Sequence, residues 1–452
     1  NFYFSNLFWG NLRSAEEGRA ALIKAYKNRE KASDLESGMI ESRYERWING
    51  NRIKEDEILD ALILKYPQYY QLRLWSGDLK SKIDPYQGEK RWMEAVEINP
   101  NSFDAYFSLS TLHYSIDVDD GIFAPEERDL KKAEGHLFKC AKLQPKSDVP
   151  YRFLGNVYRA MGDFEKAEEA YKRSLSMLEN KTSRRYSNSL LMVGHVSTFQ
   201  GKYKEGRTFY DQAVKLANEY GNVSYSVLKS HTYIYEKDFA NAIQTVSEAQ
   251  KRIDGFDIPE IDKLWLKNST EFAKFLAFGH SQKEEETLGS INKMNQIRSE
   301  ILKIRSDSAV DEAQKERLIL NNLSTSMSFE VWFNILFGKY EVARELMTEF
   351  KTLSEKSLVY NTKAMNEYNS LFGYLNLMEG EPQASIDSYA KVSKEALGDD
   401  NYHSYFLALA KKAVGKEEES KQMFVDLANN NFASWQNSIV KNLAKAQIKT
   451  NL

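Results

Sequence analysis

Between residues 148 and 179 bulky and small side chains alternate at intervals that suit two interlocking helices. Counting Asp148 as 1, Tyr151, Leu154, Gly155 and Tyr158 hold positions 4, 7, 8 and 11. Ala167, Tyr171 and Ser174 hold positions 20, 24 and 27. A glycine inside a helix costs about 1 kcal/mol relative to alanine, so Gly155 needs an offsetting gain. Close helix approach supplies one: Gly155 turns toward the second helix and Tyr171 packs over the gap. Ala167 is small for the same reason on the partner helix. Gly162-Asp163 marks a turn between two amphipathic segments. Such a hairpin leaves an apolar face uncovered and must stack on neighbours.

The frame recurs in both directions. Downstream come Val193, Gly194 and Ser197, the turn Gly201-Lys202-Tyr203, then Gly206, Tyr210 and Ala213. A third copy runs through Ser230, Tyr233, Lys237-Asp238-Phe239, Ala242, Val246 and Ala249. Upstream, Leu109, Ser110, Ala133, Leu137 and Cys140 form one unit, and Trp75, Ser76, Gly88, Trp92 and Ala95 another. Leu59 and Leu62 read as the second helix of a still earlier unit, with Leu62 at a position that is usually small. Pro67, Pro100 and Pro145 close these units, because proline removes a helix donor. The theme returns at Gly338-Lys339-Tyr340 with Ala343, Met347 and Phe350, at Gly373 with Tyr389, and at Ala408 with Phe424. This pattern resembles the tetratricopeptide repeat (TPR), a helical hairpin of about 34 residues. The resemblance implies an all-α fold, a right-handed superhelical solenoid of about eight hairpins, with a concave groove that binds partners.

The expected organisation follows. Residues 1–36 complete an upstream repeat, 37–254 form the regular array, and 255–330 form a degenerate region of longer helices. Residues 331–430 make a second array and 431–452 a terminal capping helix. The aromatic group Phe2, Tyr3, Phe4, Phe8 and Trp9 reads as the inner face of the first helix. Residues 32–50, followed by 55–67, are similar to a helix pair that precedes the repeats in bacterial TPR proteins, which points to a bacterial assembly.

Composition narrows the function classes. A net charge of −3 gives no general pull toward nucleic acid. No apolar run approaches the length that spans a bilayer. The single cysteine, Cys140, excludes an internal disulfide and falls at a packing position. The chain opens at Asn1 rather than methionine, which points to processing or excision. Together with the lack of a nucleotide signature, that favours an exported or periplasmic protein over a cytoplasmic one.

The sequence carries few signs of catalytic chemistry. No zinc-protease, P-loop, dinucleotide-binding or nucleophile-elbow motif is present. The insertion at 115–129 carries Asp117, Asp119, Asp120, Gly121, Glu126 and Glu127. A calcium loop started at Asp117 would need glycine and glutamate where Ile122 and Arg128 stand, so the match fails. No catalytic residue, metal site or cofactor is expected.

The groove is the better candidate. The resemblance implies that positions 2, 5, 9 and 12 of each first helix face it, which selects Arg152, Asn156 and Arg159, then His195 and His231. TPR domains that clamp a peptide carboxylate use Lys or Arg at 5 and Asn at 9. They repeat Asn at 9 in the next unit, then use Lys at 5 and Arg at 9 in the third. Arg152 and Asn156 match; His195 and His231 replace Asn and Arg, and Val227 replaces Lys. These five residues either hydrogen-bond a protein or peptide partner or form the ordinary polar lining of a wet face. A pH-sensitive or metal-binding histidine pair is a third option. The reading is a non-catalytic scaffold for protein–protein interaction; the alternative is a peptide- or ligand-sensing receptor whose groove occupancy changes the solenoid's curvature.

Overall fold

A computed structural model describes residues 15–449 apart from 115–122, 124–126, 308 and 310. The aromatic group between Phe2 and Trp9, and the acidic residues Asp117, Asp119, Asp120 and Glu126, therefore lie outside the described residues. The described residues are α-helical apart from short 3-10 and π turns, with no strand. The fold is an all-α stack of TPR-like hairpins, as the knob-and-hole spacing implies. Packing divides the chain into two compact units, residues 1–150 and 151–452.

The first unit contains α1 (Ala15–Lys27), α2 (Asp34–Tyr44), α3 (Arg52–Lys65), α4 (Tyr70–Lys80), α5 (Pro85–Ile98), α6 (Phe103–Tyr114) and α7 (Leu130–Leu143). Local sequence sets their ends. Ser33 and Glu36 cap α2 reciprocally. Asp84 caps α5, with Pro85 at its first helical position. Helices α3, α5 and α7 each end two residues before Pro67, Pro100 and Pro145. Adjacent hairpins bury Leu59, Leu72, Leu79, Trp92, Ala95 and Leu109 in one core.

Two contacts explain departures from the regular frame. A side chain at Gly38 would lie 2.8 Å from Leu62. The earliest hairpin thus exchanges its small and large positions: α2 supplies the small residue that α3 lacks. In the next hairpin a Cβ at Gly77 would lie 2.4 Å from the Trp92 indole nitrogen. That nitrogen donates to the Leu74 carbonyl at 3.1 Å. The hole for Trp92 is thus one residue beyond Ser76, because an indole reaches farther than a phenol.

The second unit continues with α8 (Val149–Met161), α9 (Phe164–Ser176), α10 (Arg184–Phe199), α11 (Tyr203–Leu216), α12 (Glu219–Tyr235) and α13 (Phe239–Ile253). Longer helices follow: α14 (Glu260–His280), α15 (Glu284–Asp307) and α16 (Glu312–Leu336), of 21, 24 and 25 residues. Then come α17 (Tyr340–Ser357), α18 (Met365–Met378), α19 (Pro382–Tyr389), α20 (Lys394–Asp399), α21 (Asn401–Ala413), α22 (Glu417–Asn429) and α23 (Trp435–Lys449). The helices meet at the glycines that the pattern singles out. A Cβ at Gly155 would fall 2.4 Å from the Tyr171 ring, and one at Gly373 2.8 Å from the Tyr389 ring. Gly194 and Gly206 cross backbone to backbone, so a Cβ on either would approach the other's carbonyl to 3.2 or 3.0 Å.

The hairpin turns at Gly162 and Gly201 take φ of 78°, a left-handed conformation that glycine adopts without penalty. Lys237 holds the equivalent place in the next hairpin at φ 59°. The largest core joins α14 to α23 through an aromatic cluster. Trp435 lies 5.7 Å from Phe272, 5.4 Å from Trp332 and 5.5 Å from Tyr402, between ring centroids. The Trp332 indole donates to the Tyr402 hydroxyl at 3.2 Å.

Candidate partner-binding groove

Helices α8, α10 and α12 carry the five residues selected from the sequence. Arg152 and Asn156 are half-buried on α8. Arg159, His195 and His231 are buried, at 5%, 4% and 8% exposure. Asn156 and His195 stand in the same relation to the helix behind them. The Tyr171 hydroxyl donates to Asn156 Oδ1 at 2.6 Å. The Tyr210 hydroxyl shares a hydrogen bond of 2.6 Å with His195 Nδ1. In each hairpin the polar residue at position 9 thus satisfies the buried tyrosine hydroxyl at position 24. The third hairpin has Val246 at position 24, and His231 Nδ1 is correspondingly buried without a hydrogen-bond partner. The pairing holds in these two neighbouring repeats; at Tyr389 the hydroxyl instead shares a hydrogen bond of 3.2 Å with His403 Nδ1.

Burial sets the electrostatics. It holds His195 well below the ordinary imidazole range, with Arg159 and His231 adding in the same direction. It lowers His231 to about 4. Both rings are therefore neutral at pH 7. Burial also pushes Tyr171 up to about 12, against the pull of Arg159 and Arg152. The tyrosine thus remains a hydroxyl donor.

The C-terminal segment packs against Arg159 and against Phe199, Tyr203 and Tyr235 on α10, α11 and α12, and no repeat-level signal announces this. The Arg159 guanidinium lies 5.8 Å from the Phe432 ring. Lys441 Nζ sits 5.4 Å from the Phe199 ring on α10. Asn442 donates to the Tyr203 hydroxyl at 3.4 Å and the Tyr235 carbonyl at 3.1 Å. Lys441 also ties the turn before α23, donating to the carbonyls of Ala428 and Asn430 at 2.7 and 2.6 Å and to Asn431 Oδ1 at 2.9 Å. The buried face of α23 includes Asn437, Ser438 and Lys441. Those polar residues interrupt the apolar periodicity that would have flagged the contact.

Other candidate chemistry is accounted for by packing. Cys140 is buried, with its sulfur 3.6 Å from the Phe103 carbonyl. Burial and Asp104 push its thiol up to about 12, which keeps it unreactive. In the insertion, Phe123 is buried against His113 and Tyr86. Glu127 accepts from the Tyr86 hydroxyl at 2.6 Å. Among the described residues no group of three His, Cys, Asp or Glu side chains could hold a metal ion. No described helix is long and apolar enough to cross a membrane.

Comparison with known proteins places the repeats. Models of the tetratricopeptide repeat match residues 150–181 and 187–220. Those spans cover the hairpins α8–α9 and α10–α11 with the knob contacts described above. These two spans are tetratricopeptide repeats, and the all-α hairpin stack continues on either side of them. No curated protein matches the chain. Solved structures similar to it include a TPR protein from Parabacteroides merdae. That likeness has 13% identity and a TM-score of 0.41, and covers 65% of this chain and all of the other. YrrB, described as a TPR protein with an unusual peptide-binding site, is similar at 17% identity and a TM-score of 0.28, over 46% of this chain and 91% of its own. Naa15/Naa10 bound to HypK-THB is similar at 12% identity and a TM-score of 0.29, over 96% of this chain and 78% of that one.

Proposed function

We propose that the chain is a non-catalytic scaffold that holds a protein or peptide partner along its first helices, within a bacterial assembly. The observation that carries this is the half-buried pair Arg152 and Asn156 on α8, in the repeat with the strongest TPR pattern. A guanidinium offers several donors to a partner's carboxylate or carbonyl. Asn156 uses its oxygen on Tyr171, which leaves its NH2 as the donor group. Arg159, His195 and His231 form the base of the same groove. A partner reaching Arg159 displaces the segment around Phe432. The similarity of residues 32–50 and 55–67 to bacterial TPR proteins is what supports a bacterial assembly.

The test is affinity capture from the native source with the wild-type chain, Arg152→Ala and Asn156→Asp as baits. Asn156→Asp keeps an acceptor for Tyr171 while replacing the outward donor with a negative charge. Loss of the same co-purifying protein from both variants, with unchanged circular dichroism, supports the reading. Full recovery by both variants refutes it.

A further inference from the structure

The long helices α14, α15 and α16 exceed the 13–17 residues of the hairpin helices between α8 and α13. Between them lies a half-open cavity of about 240 Å³. Arg298, Ile301 and Arg305 line it from one face of α15, Leu318 and Asn322 from α16, and Trp265 from α14. The stacking of hairpins does not require these extra turns, and the groove reading leaves them unused.

The chemistry of the walls is one-sided. Two guanidiniums face the space, and no carboxylate of the described residues lines it. Arg298 donates through Nη2 to the Asn322 carbonyl at 3.4 Å. Its Nε is buried without a hydrogen-bond partner. An unsatisfied buried donor is costly, more so on a charged group. Burial lowers Arg298 from its ordinary value, and Glu367 on α18 acts in the opposite direction. Arg305 is exposed at the rim. The remaining wall is mixed: Ile301 and Leu318 are buried, Trp265 keeps 44% of its surface open, and Asn321, Asn322 and Thr325 add polar groups. Drug-sized sites occupy about 300–1,000 Å³, so this space suits a group the size of one amino-acid residue.

We infer that this cavity receives a carboxylate carried on a small apolar body, with Arg298 and Arg305 holding the carboxylate and Trp265 and Leu318 the apolar part. Guanidinium forks match carboxylate geometry with two parallel hydrogen bonds. A free small acid and the last residue of a peptide present the same chemistry.

Isothermal titration of the full chain with N-acetyl-L-leucine and with N-acetyl-L-leucinamide tests the inference. The acid binds saturably, and the amide binds about tenfold or more weakly. Arg298→Gln and Arg305→Gln each weaken acid binding by about tenfold. Arg305 is exposed, so its variant reports even if Arg298→Gln folds poorly. Arg152→Ala, in the groove, leaves acid binding unchanged. That separates failure of this site from failure of the scaffold reading. A short leucine-ended peptide, as free acid and as amide, distinguishes the sources. Tighter binding of the peptide acid than of N-acetyl-leucine assigns a chain end, and weaker binding assigns a free small acid. Absence of saturable binding by any acid, equal affinity for acid and amide, or wild-type affinity in a folded Arg305→Gln variant overturns the assignment.

Discussion

Replacing Gly155 with alanine tests the packing on which the stack rests. On helix propensity alone the change stabilises α8 by about 1 kcal/mol. The structure reverses the sign. The new Cβ would lie 2.4, 2.5 and 2.7 Å from Cε1, Cδ1 and Cζ of Tyr171. Ordinary carbon contacts are about 3.5–4.0 Å, so the ring must retreat by roughly 1 Å. Tyr171 has no exposed surface, and its hydroxyl is tied to Asn156 at 2.6 Å. Overpacking of this kind costs about 1–3 kcal/mol. Stretching the hydrogen bond adds about 0.5–1.5 kcal/mol. The net expectation is a loss of about 1–3 kcal/mol.

Gly289→Ala is the internal control, because nothing lies within 4 Å of its added Cβ on α15. It should be neutral or stabilising by up to about 1 kcal/mol. Repeat arrays can unfold in parts. Urea unfolding followed by far-UV circular dichroism should therefore be paired with hydrogen exchange of residues 149–176. A Gly155→Ala protein at least as stable as wild type, with unchanged exchange in α8 and α9, would refute the reasoning.

Two further outcomes follow from buried charge. Glu55 has no exposed surface and faces Arg43 and Arg46 at 3.6 and 3.4 Å. Glu55→Ala should destabilise the first unit by at most about 3–5 kcal/mol, read from urea unfolding, because it removes the carboxylate between Arg43, stacked on Trp75, and Arg46, and leaves Asp78 as the acid acting on both. His231 is held at about 4 in the folded chain, against an ordinary value of 6.5. Below 6.5 the unfolded chain takes up a proton that the folded chain refuses. Stability therefore falls as pH drops from 6.5 toward 4, by on the order of 3 kcal/mol from this group at most. His231→Leu should flatten the dependence of the urea midpoint on pH in that window. An unchanged slope would show that the ring is not held neutral.

The repeat spacing carried the local architecture because each of its demands is satisfied within one hairpin. Gly155 and Tyr171, or Gly373 and Tyr389, meet across a short turn, so sequence distance and spatial distance are nearly the same thing. The prolines at 67, 100 and 145 act on the helices directly before them. Gly38 opposite Leu62 was harder to see, since the small residue had moved to the other helix of the pair. The five groove residues were legible as positions, while their environments were not. Asn156 and His195 answer tyrosines on the helix behind them, and the sequence contains that information only as a pairing between positions 9 and 24.

What tertiary structure alone decided is the contact of the C-terminal segment with Arg159, Phe199, Tyr203 and Tyr235, and the cavity between α14, α15 and α16. Asn442 meets Tyr203 and Tyr235 across more than two hundred residues of chain. No periodicity encodes such a contact, because its position depends on small rotations accumulated over every intervening hairpin. The sequence by itself determined that these helices pair and how each pair nests. Where the end of the chain comes to rest, and which polar side chains it shuts away from water, depended on the sum of all those pairings.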